Sequence, residues 1–212
     1  MDENDLKRYT VILGEGSGVL FQPLDETQTY ILSAKHIFYE KVINDSEPNT
    51  ERLRDRISYT LSNNQETPIE IAIKLGENYF EHSEKQVDAA IVILNENLKL
   101  NQIFVDDRTT GFNGFNLTGY PSNKRNAADK YDKQIISDLN SSNDSLIALR
   151  LVINHLEHDQ ITGFSGGGII KIDCDSLLLA GIQSKTPIGP CNGEIQVVPI
   201  KRFEEIVNEY NL

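Results

Sequence analysis

Short apolar runs separated by turn-forming clusters recur along the chain. They lie at residues 9–13, 19–21, 30–33, 57–61, 69–73 and 90–94, then at 115–119, 146–152, 168–172, 177–183 and 195–198. Each is four to eight residues or shorter, too short for the helices of a bundle, and the spacing predicts many short strands in a sandwich or barrels. In Ile69-Glu70-Ile71-Ala72-Ile73 the isoleucines alternate strictly, which predicts a strand with one face on a core. One segment breaks this rhythm. From Pro199 onward, Ile200, Phe203, Ile206, Val207 and Tyr210 fall on one face of a helix, with proline favourable at its start. Residues 46–56 are polar and charged, with room for a turn of helix. Residues 95–113 are polar and turn-rich, the natural linker between two halves.

Composition supports a β-rich globular chain. Isoleucine (24) outnumbers leucine (21), a bias toward β-branched side chains that suit strands. The 212 residues, 39% of them hydrophobic, suit one large domain or two small ones sharing a core. With 20 basic against 32 acidic side chains the net charge is −12, which disfavours a nucleic-acid partner. No apolar run approaches the ~20 residues needed to span a bilayer, so no membrane partner is expected. The beginning of the chain, MDENDLKRYT, is acidic and polar and lacks the features of a signal peptide. Two cysteines, Cys174 and Cys191, form no CxxC pair, and a reducing cytoplasm is the expected location.

Candidate chemistry centres on Gly163-Phe164-Ser165-Gly166-Gly167-Gly168, directly before an apolar strand. A serine hydroxyl is a poor nucleophile near neutral pH and needs an adjacent base. Glycines on both sides let the backbone turn tightly and aim N–H groups at one point. Taken alone, the string also fits a tight hairpin. Two other sites give it a mechanism. Ser33-Ala34-Lys35-His36 places a histidine where a strand runs out into a loop, and Val87-Asp88-Ala89-Ala90 places a carboxylate at the mouth of a buried strand. Ser165 would attack, His36 would take and return its proton, and Asp88 would fix the imidazole tautomer.

The order His–Asp–Ser, with SAKH, DAAIVIL and GFSGGG, resembles the chymotrypsin-like (trypsin-like) serine peptidases, whose motifs read roughly TAAH, DIALL and GDSGGP. The three residues are separated by 52 and 77 positions, close to that family's spacing. Gly16-Ser17-Gly18-Val19 resembles the strand opening the family's first barrel, and Gly119-Tyr120-Pro121 a strand of the second. Leu179-Ala180-Gly181-Ile182-Gln183-Ser184 resembles the strand lining the substrate cleft. The resemblance implies an all-β fold of two six-stranded antiparallel barrels with a C-terminal α-helix. Residues 1–100 would carry His36 and Asp88, and residues 101–212 would carry Ser165 and the helix. It further implies an oxyanion hole from the N–H groups of Gly163 and Ser165, with Ser184 supporting Asp88. The implied activity is that of a serine endopeptidase working through an acyl-enzyme, needing no cofactor. The alternative is a catalytically silent module that binds peptides or partner domains. Similar domains occur in bacteria fused to sensor or NTPase modules, including presumed anti-phage defence proteins, so a regulatory domain or partner protein is expected.

Departures from the family pattern are informative. Phe164 stands where digestive and clotting enzymes carry the aspartate that pairs with a new N-terminus, so that route of activation is not expected. Gly168 replaces a proline. Asp159, six residues before Ser165, matches the base of the primary pocket in trypsin and would select Arg or Lys; the competing reading is a solvated loop acid. Thr186 would narrow the pocket, and Lys185 beside it offers a cation to an acidic residue. His155, His158 and Asp159 form a candidate metal cluster, but the strand pattern around them separates the two histidines, and no metal is expected.

Overall fold

Antiparallel pairing of the β-branched runs builds two curled sheets. In the computed structural model, residues 3–23, 27–42, 50–61, 67–124, 130–137, 149–153, 161–185 and 193–212 are described. The first half supplies β1 (Thr10–Leu13), β2 (Gly16–Phe21), β3 (Thr29–Ser33), β4 (Tyr39–Val42), β5 (Thr50–Leu53), β6 (Arg56–Leu61), β7 (Ile69–Ala72), β8 (Tyr79–Glu81) and β9 (Ala90–Leu94). Seven of these form one sheet in the order β7-β6-β1-β2-β3-β9-β8, while β4 and β5 pair as a separate hairpin.

The second half supplies β10 (Ile103–Val105), β11 (Asn116–Gly119), β12 (Asp132–Ser137), β13 (Leu149–Ile153), β14 (Gly168–Asp173), β15 (Ser176–Gln183) and β16 (Glu194–Pro199). Pairing of β15 with both β14 and β16 closes six strands into a barrel, and β10 adds outside it, parallel to β15. The expected all-β, two-barrel plan with a terminal helix is thus the fold of this chain, with the second barrel closed on six strands and the first, among the described residues, a seven-stranded half-barrel without a closing pairing.

Alternation along these strands separates a core for each barrel and a third between them. Val11, Leu20, Ile31, Phe38 and Tyr79 fill the first. Phe112, Phe115, Leu151, Phe164 and Val197 fill the second. Val19, Leu32 and Ile91 of the first sheet meet Ile170, Leu179 and Ile182 of the second in the layer where the barrels touch. Full burial of such a side chain contributes about 1.5–3 kcal/mol, so this layer fixes one barrel against the other.

Two helices bracket the strands. A short helix, α1 (Glu3–Arg8), was not legible in the sequence pattern; it inserts Leu6 into the inter-barrel layer. The terminal helix, α2 (Lys201–Tyr210), buries Phe203 and Ile206 and ends on Asn211 in the left-handed conformation. It begins two residues later than the proline suggested, because Pro199 still belongs to β16, opposite Gly181. His82, buried at the end of β8, ties this helix down: its Nε2 lies 2.8 Å from Glu205, while its Nδ1 accepts from the Glu84 N–H. The proton is therefore on Nε2.

Three local expectations are corrected. Within 46–56, residues 46–49 lie outside the described residues, while Thr50–Leu53 form β5, a polar strand in an exposed hairpin, and Arg56 opens β6. The linker 95–113 contains β10, a strand too short to register as an apolar run. The alternation at Ile69–Ile73 does mark a strand, but β7 lies at a sheet edge, so Ile69 is exposed while Ile73 is buried.

Candidate active site

Neighbouring antiparallel strands bring His36 and Asp88 together. In the β3–β9 pair, Ser33 faces Ala90, so the chain leaving β3 and the chain arriving at β9 share one end of the sheet. After β3 the chain folds into a 3-10 turn, Lys35–Phe38, pinned by burial of Ile37 and Phe38. His36 on that turn faces Asp88, two residues before β9. The imidazole Nδ1 is 2.7 Å from Asp88 Oδ2, and the His36 backbone N–H donates to Asp88 Oδ1 at 2.9 Å. A further backbone bond runs from Lys35 N–H to the Asp88 carbonyl.

Ser184, buried just beyond β15, donates its hydroxyl to Asp88 Oδ2 at 2.5 Å. Burial of Asp88 works to raise its pKa. Hydrogen bonds and the charge from His36, together with the Ser184 hydroxyl, outweigh that and bring it down to about 2. The carboxylate is thus ionised at neutral pH and can only accept, which places the His36 proton on Nδ1 and leaves the Nε2 lone pair available. The side chains differ in access: that of His36 is 39% exposed and that of Asp88 only 12%. The imidazole is thus held in one orientation and open to solvent, while the carboxylate that holds it is shielded.

The Ser165 turn is held by both barrels. Gly166 donates to the Gln183 carbonyl and Gln183 to that of Gly167, tying the turn to the strand end that leads into Ser184. From the first barrel, the Ser17 N–H donates to the Ser165 carbonyl at 2.7 Å. The Ser17 hydroxyl donates to the Gly163 carbonyl at 2.9 Å and accepts from the Tyr120 N–H at 2.9 Å. Ser33, at the end of β3, donates in turn to the Ser17 carbonyl. Ser17 is therefore a clasp across the inter-barrel seam, a role the Gly-Ser-Gly string did not disclose.

Two glycines are required by geometry here. Gly163 has φ +98° and a Cβ there would lie 2.6 Å from the Ser122 nitrogen. Gly166 has φ +87°, and a Cβ there would run into the Ser17 carbonyl and the Ser33 hydroxyl. Within the turn, the Phe164, Gly166 and Gly167 N–H groups donate to carbonyls, whereas those of Gly163 and Ser165 make no hydrogen bond to a described residue. The Ser165 hydroxyl likewise makes none, to His36 or to any other described residue. Phe164 is fully buried in the second barrel's core against Gly119.

Lys185, adjoining Ser184, is exposed and lines a cleft of about 360 Å³ that also contains His36, Asp88, Lys35 and Lys85. Asp159 and Thr186 lie outside the described residues, as do His155, His158 and Cys191. Among the described residues no group of three or more His, Cys, Asp or Glu is placed to hold a metal ion. No described helix is long and apolar enough to cross a membrane.

Barrel closure, the inter-barrel seam and the terminal helix together define the chymotrypsin-like protease fold. Solved structures bear this out at low sequence identity. The Rv3671c protease of Mycobacterium tuberculosis H37Rv, in its inactive form, matches with a TM-score of 0.57 at 12% identity, over 99% of this chain and 92% of that one. Catalytically active tobacco etch virus protease, complexed with product, matches with a TM-score of 0.57 at 13% identity, over 99% of this chain and 81% of that one. No family model and no curated protein matches the sequence.

Proposed function

We propose that this chain is a serine endopeptidase with Ser165 as nucleophile, His36 as general base and Asp88 as the carboxylate that orients it. The observation that carries this reading is the ionised Asp88 holding the His36 proton on Nδ1 and leaving the Nε2 lone pair unprotonated, on a turn whose next residue, Ile37, borders Gly16 together with the Ser165 carbonyl. Ser165 Oγ attacks the scissile carbonyl carbon as Nε2 takes its proton, and the N–H groups of Gly163 and Ser165 receive the oxyanion. Nε2 then gives the proton to the departing amine, leaving an ester on Ser165. A water repeats the sequence, releasing the acid and the free hydroxyl. Nothing in this scheme calls for a metal or cofactor.

In this reading the substrate is a peptide or protein, and the setting is a reducing cytoplasm, in keeping with the unpaired exposed thiol of Cys174. Restraint by a regulatory domain or partner, as in the presumed defence proteins the sequence resembles, belongs to the same reading. So does a preference for Arg or Lys at the bond cut, if Asp159 floors the primary pocket. One observation favours a second reading, a peptide-binding module without turnover: the Ser165 hydroxyl and His36 are not hydrogen-bonded. Such bonds commonly tighten only when substrate arrives. Cleavage of a peptide library separates the two. The protease cuts peptides and its Ser165→Ala variant does not; equal inactivity of both, with peptide binding retained, supports the binding module.

A further inference from the structure

Three lysines converge on the cleft beside His36, and nothing in the proposed chemistry uses them. Lys35 precedes the base in sequence, Lys85 lies in the segment leading to Asp88, and Lys185 follows Ser184 from the second barrel. The same 360 Å³ cleft is bordered by Tyr39, Glu51 and Glu81.

The charges on its walls are not equivalent. Asp88 accepts from His36 and Ser184. Glu81 accepts from the hydroxyls of both Tyr39 and Tyr79, each at 2.8 Å. Burial raises the Tyr39 pKa, and the bond to Glu81 and its charge add to this, to about 12, so the phenol stays a donor to that carboxylate. By contrast, none of the three ammonium groups forms an ion pair with a described residue; Lys35 Nζ donates to the Lys85 carbonyl at 3.3 Å. Three cations thus share the cleft walls with three carboxylates, of which Asp88 and Glu81 already accept hydrogen bonds and Glu51 is exposed. Ammonium groups with no described carboxylate partner are available for charge-assisted hydrogen bonds to an incoming anion.

We propose that this cleft takes the carboxylate side chain of an Asp or Glu close to the scissile bond, with Lys35, Lys85 and Lys185 as specificity-determining residues. The proposal rests on the protease reading for the position of the scissile bond. The ammonium groups are exposed, so each contributes modestly, about two- to five-fold in relative rate. Together they produce a preference of about ten-fold or more, and it shrinks as salt screens them.

The test compares an acidic peptide series, with Asp or Glu walked through the positions flanking the cleaved bond, with the matched Asn and Gln series. Cleavage is followed with the wild-type protein and with Lys35→Glu, Lys85→Glu and Lys185→Glu. Binding of the same peptides is measured on Ser165→Ala with and without the lysine changes. The expected result is an acidic-over-amide preference at one or two positions that falls or inverts in the charge-reversal proteins and weakens in high salt. An equal response to acidic and amide peptides, in both cleavage and binding, overturns the inference while leaving the protease reading intact. Selective binding of acidic peptides without cleavage refutes the protease reading and keeps the lysine cleft.

Discussion

Replacing Asp88 by Asn perturbs both stability and the tautomer of the base, and the structure sets the size of each effect. The carboxylate receives the His36 imidazole N–H, the His36 backbone N–H and the Ser184 hydroxyl, and its pKa falls from 3.8 to about 2. This lowering corresponds to about 2–3 kcal/mol of stability at neutral pH. Because the folded-state value is the lower one, this contribution is complete above about pH 5, roughly half lost near pH 3 and nearly gone at about pH 2. In Asp88→Asn the titrating group is absent, so urea unfolding should show a wild-type advantage near pH 7 that narrows on acidification. The amide also has one oxygen fewer for the three donors. Its N–H₂ facing His36 favours the tautomer with the proton on Nε2, which removes the base and should lower turnover by up to ~10⁴-fold. Turnover and unfolding are measured on the same preparation, with circular dichroism as the check on folding. A folded Asp88→Asn protein that cleaves at the wild-type rate, or a stability difference that does not change with pH, refutes the assignment of this carboxylate.

The remaining predictions concern the scaffold of the site. Ser17→Ala removes the cross-barrel clasp to Gly163 and Tyr120 and should cost about 1–3 kcal/mol, with slower phosphonate labelling of Ser165; unchanged labelling would contradict its positioning role. Phe164→Ala empties a fully buried site and should cost about 3–5 kcal/mol, lowering Tm by roughly 6–20 °C. A negligible Tm change would mean the ring is not part of the core. Gly166→Ala places a Cβ against the Ser17 carbonyl at a positive φ, and a folded, fully active variant would contradict the geometry of the turn.

Much of this architecture is legible in the chain because apolar alternation and burial coincide in central strands. The run at residues 90–94 becomes β9, buried along its whole length, and its pairing with β3 carries Asp88 to His36. Edge and hairpin strands escape such reasoning. Tyr39–Val42 and Thr50–Leu53 pair with each other outside the main sheets and have no buried face to impose a pattern. Ile69 alternates as a core residue would, yet at the sheet edge there is nothing to cover it. The Ser17 clasp is hidden for another reason. Its hydroxyl meets a carbonyl 146 residues away, a contact made by barrel packing rather than by local sequence. Charge convergence has the same origin: Lys35, Lys85 and Lys185 are scattered in sequence and meet only in the folded cleft. The pocket residues Asp159 and Thr186 lie outside the described residues, and the primary-pocket reading rests on the sequence alone.

The central claim is that Ser165 is a nucleophile activated by His36. Its most direct test is intact-mass analysis after exposure to a fluorophosphonate, with Ser165→Ala and His36→Ala treated in parallel. The account predicts one adduct on the wild-type chain, mapped to the peptide containing Ser165, none on Ser165→Ala, and labelling slowed by orders of magnitude in His36→Ala. A folded wild-type protein that stays unmodified at Ser165, or a Ser165→Ala protein that labels equally well, contradicts it.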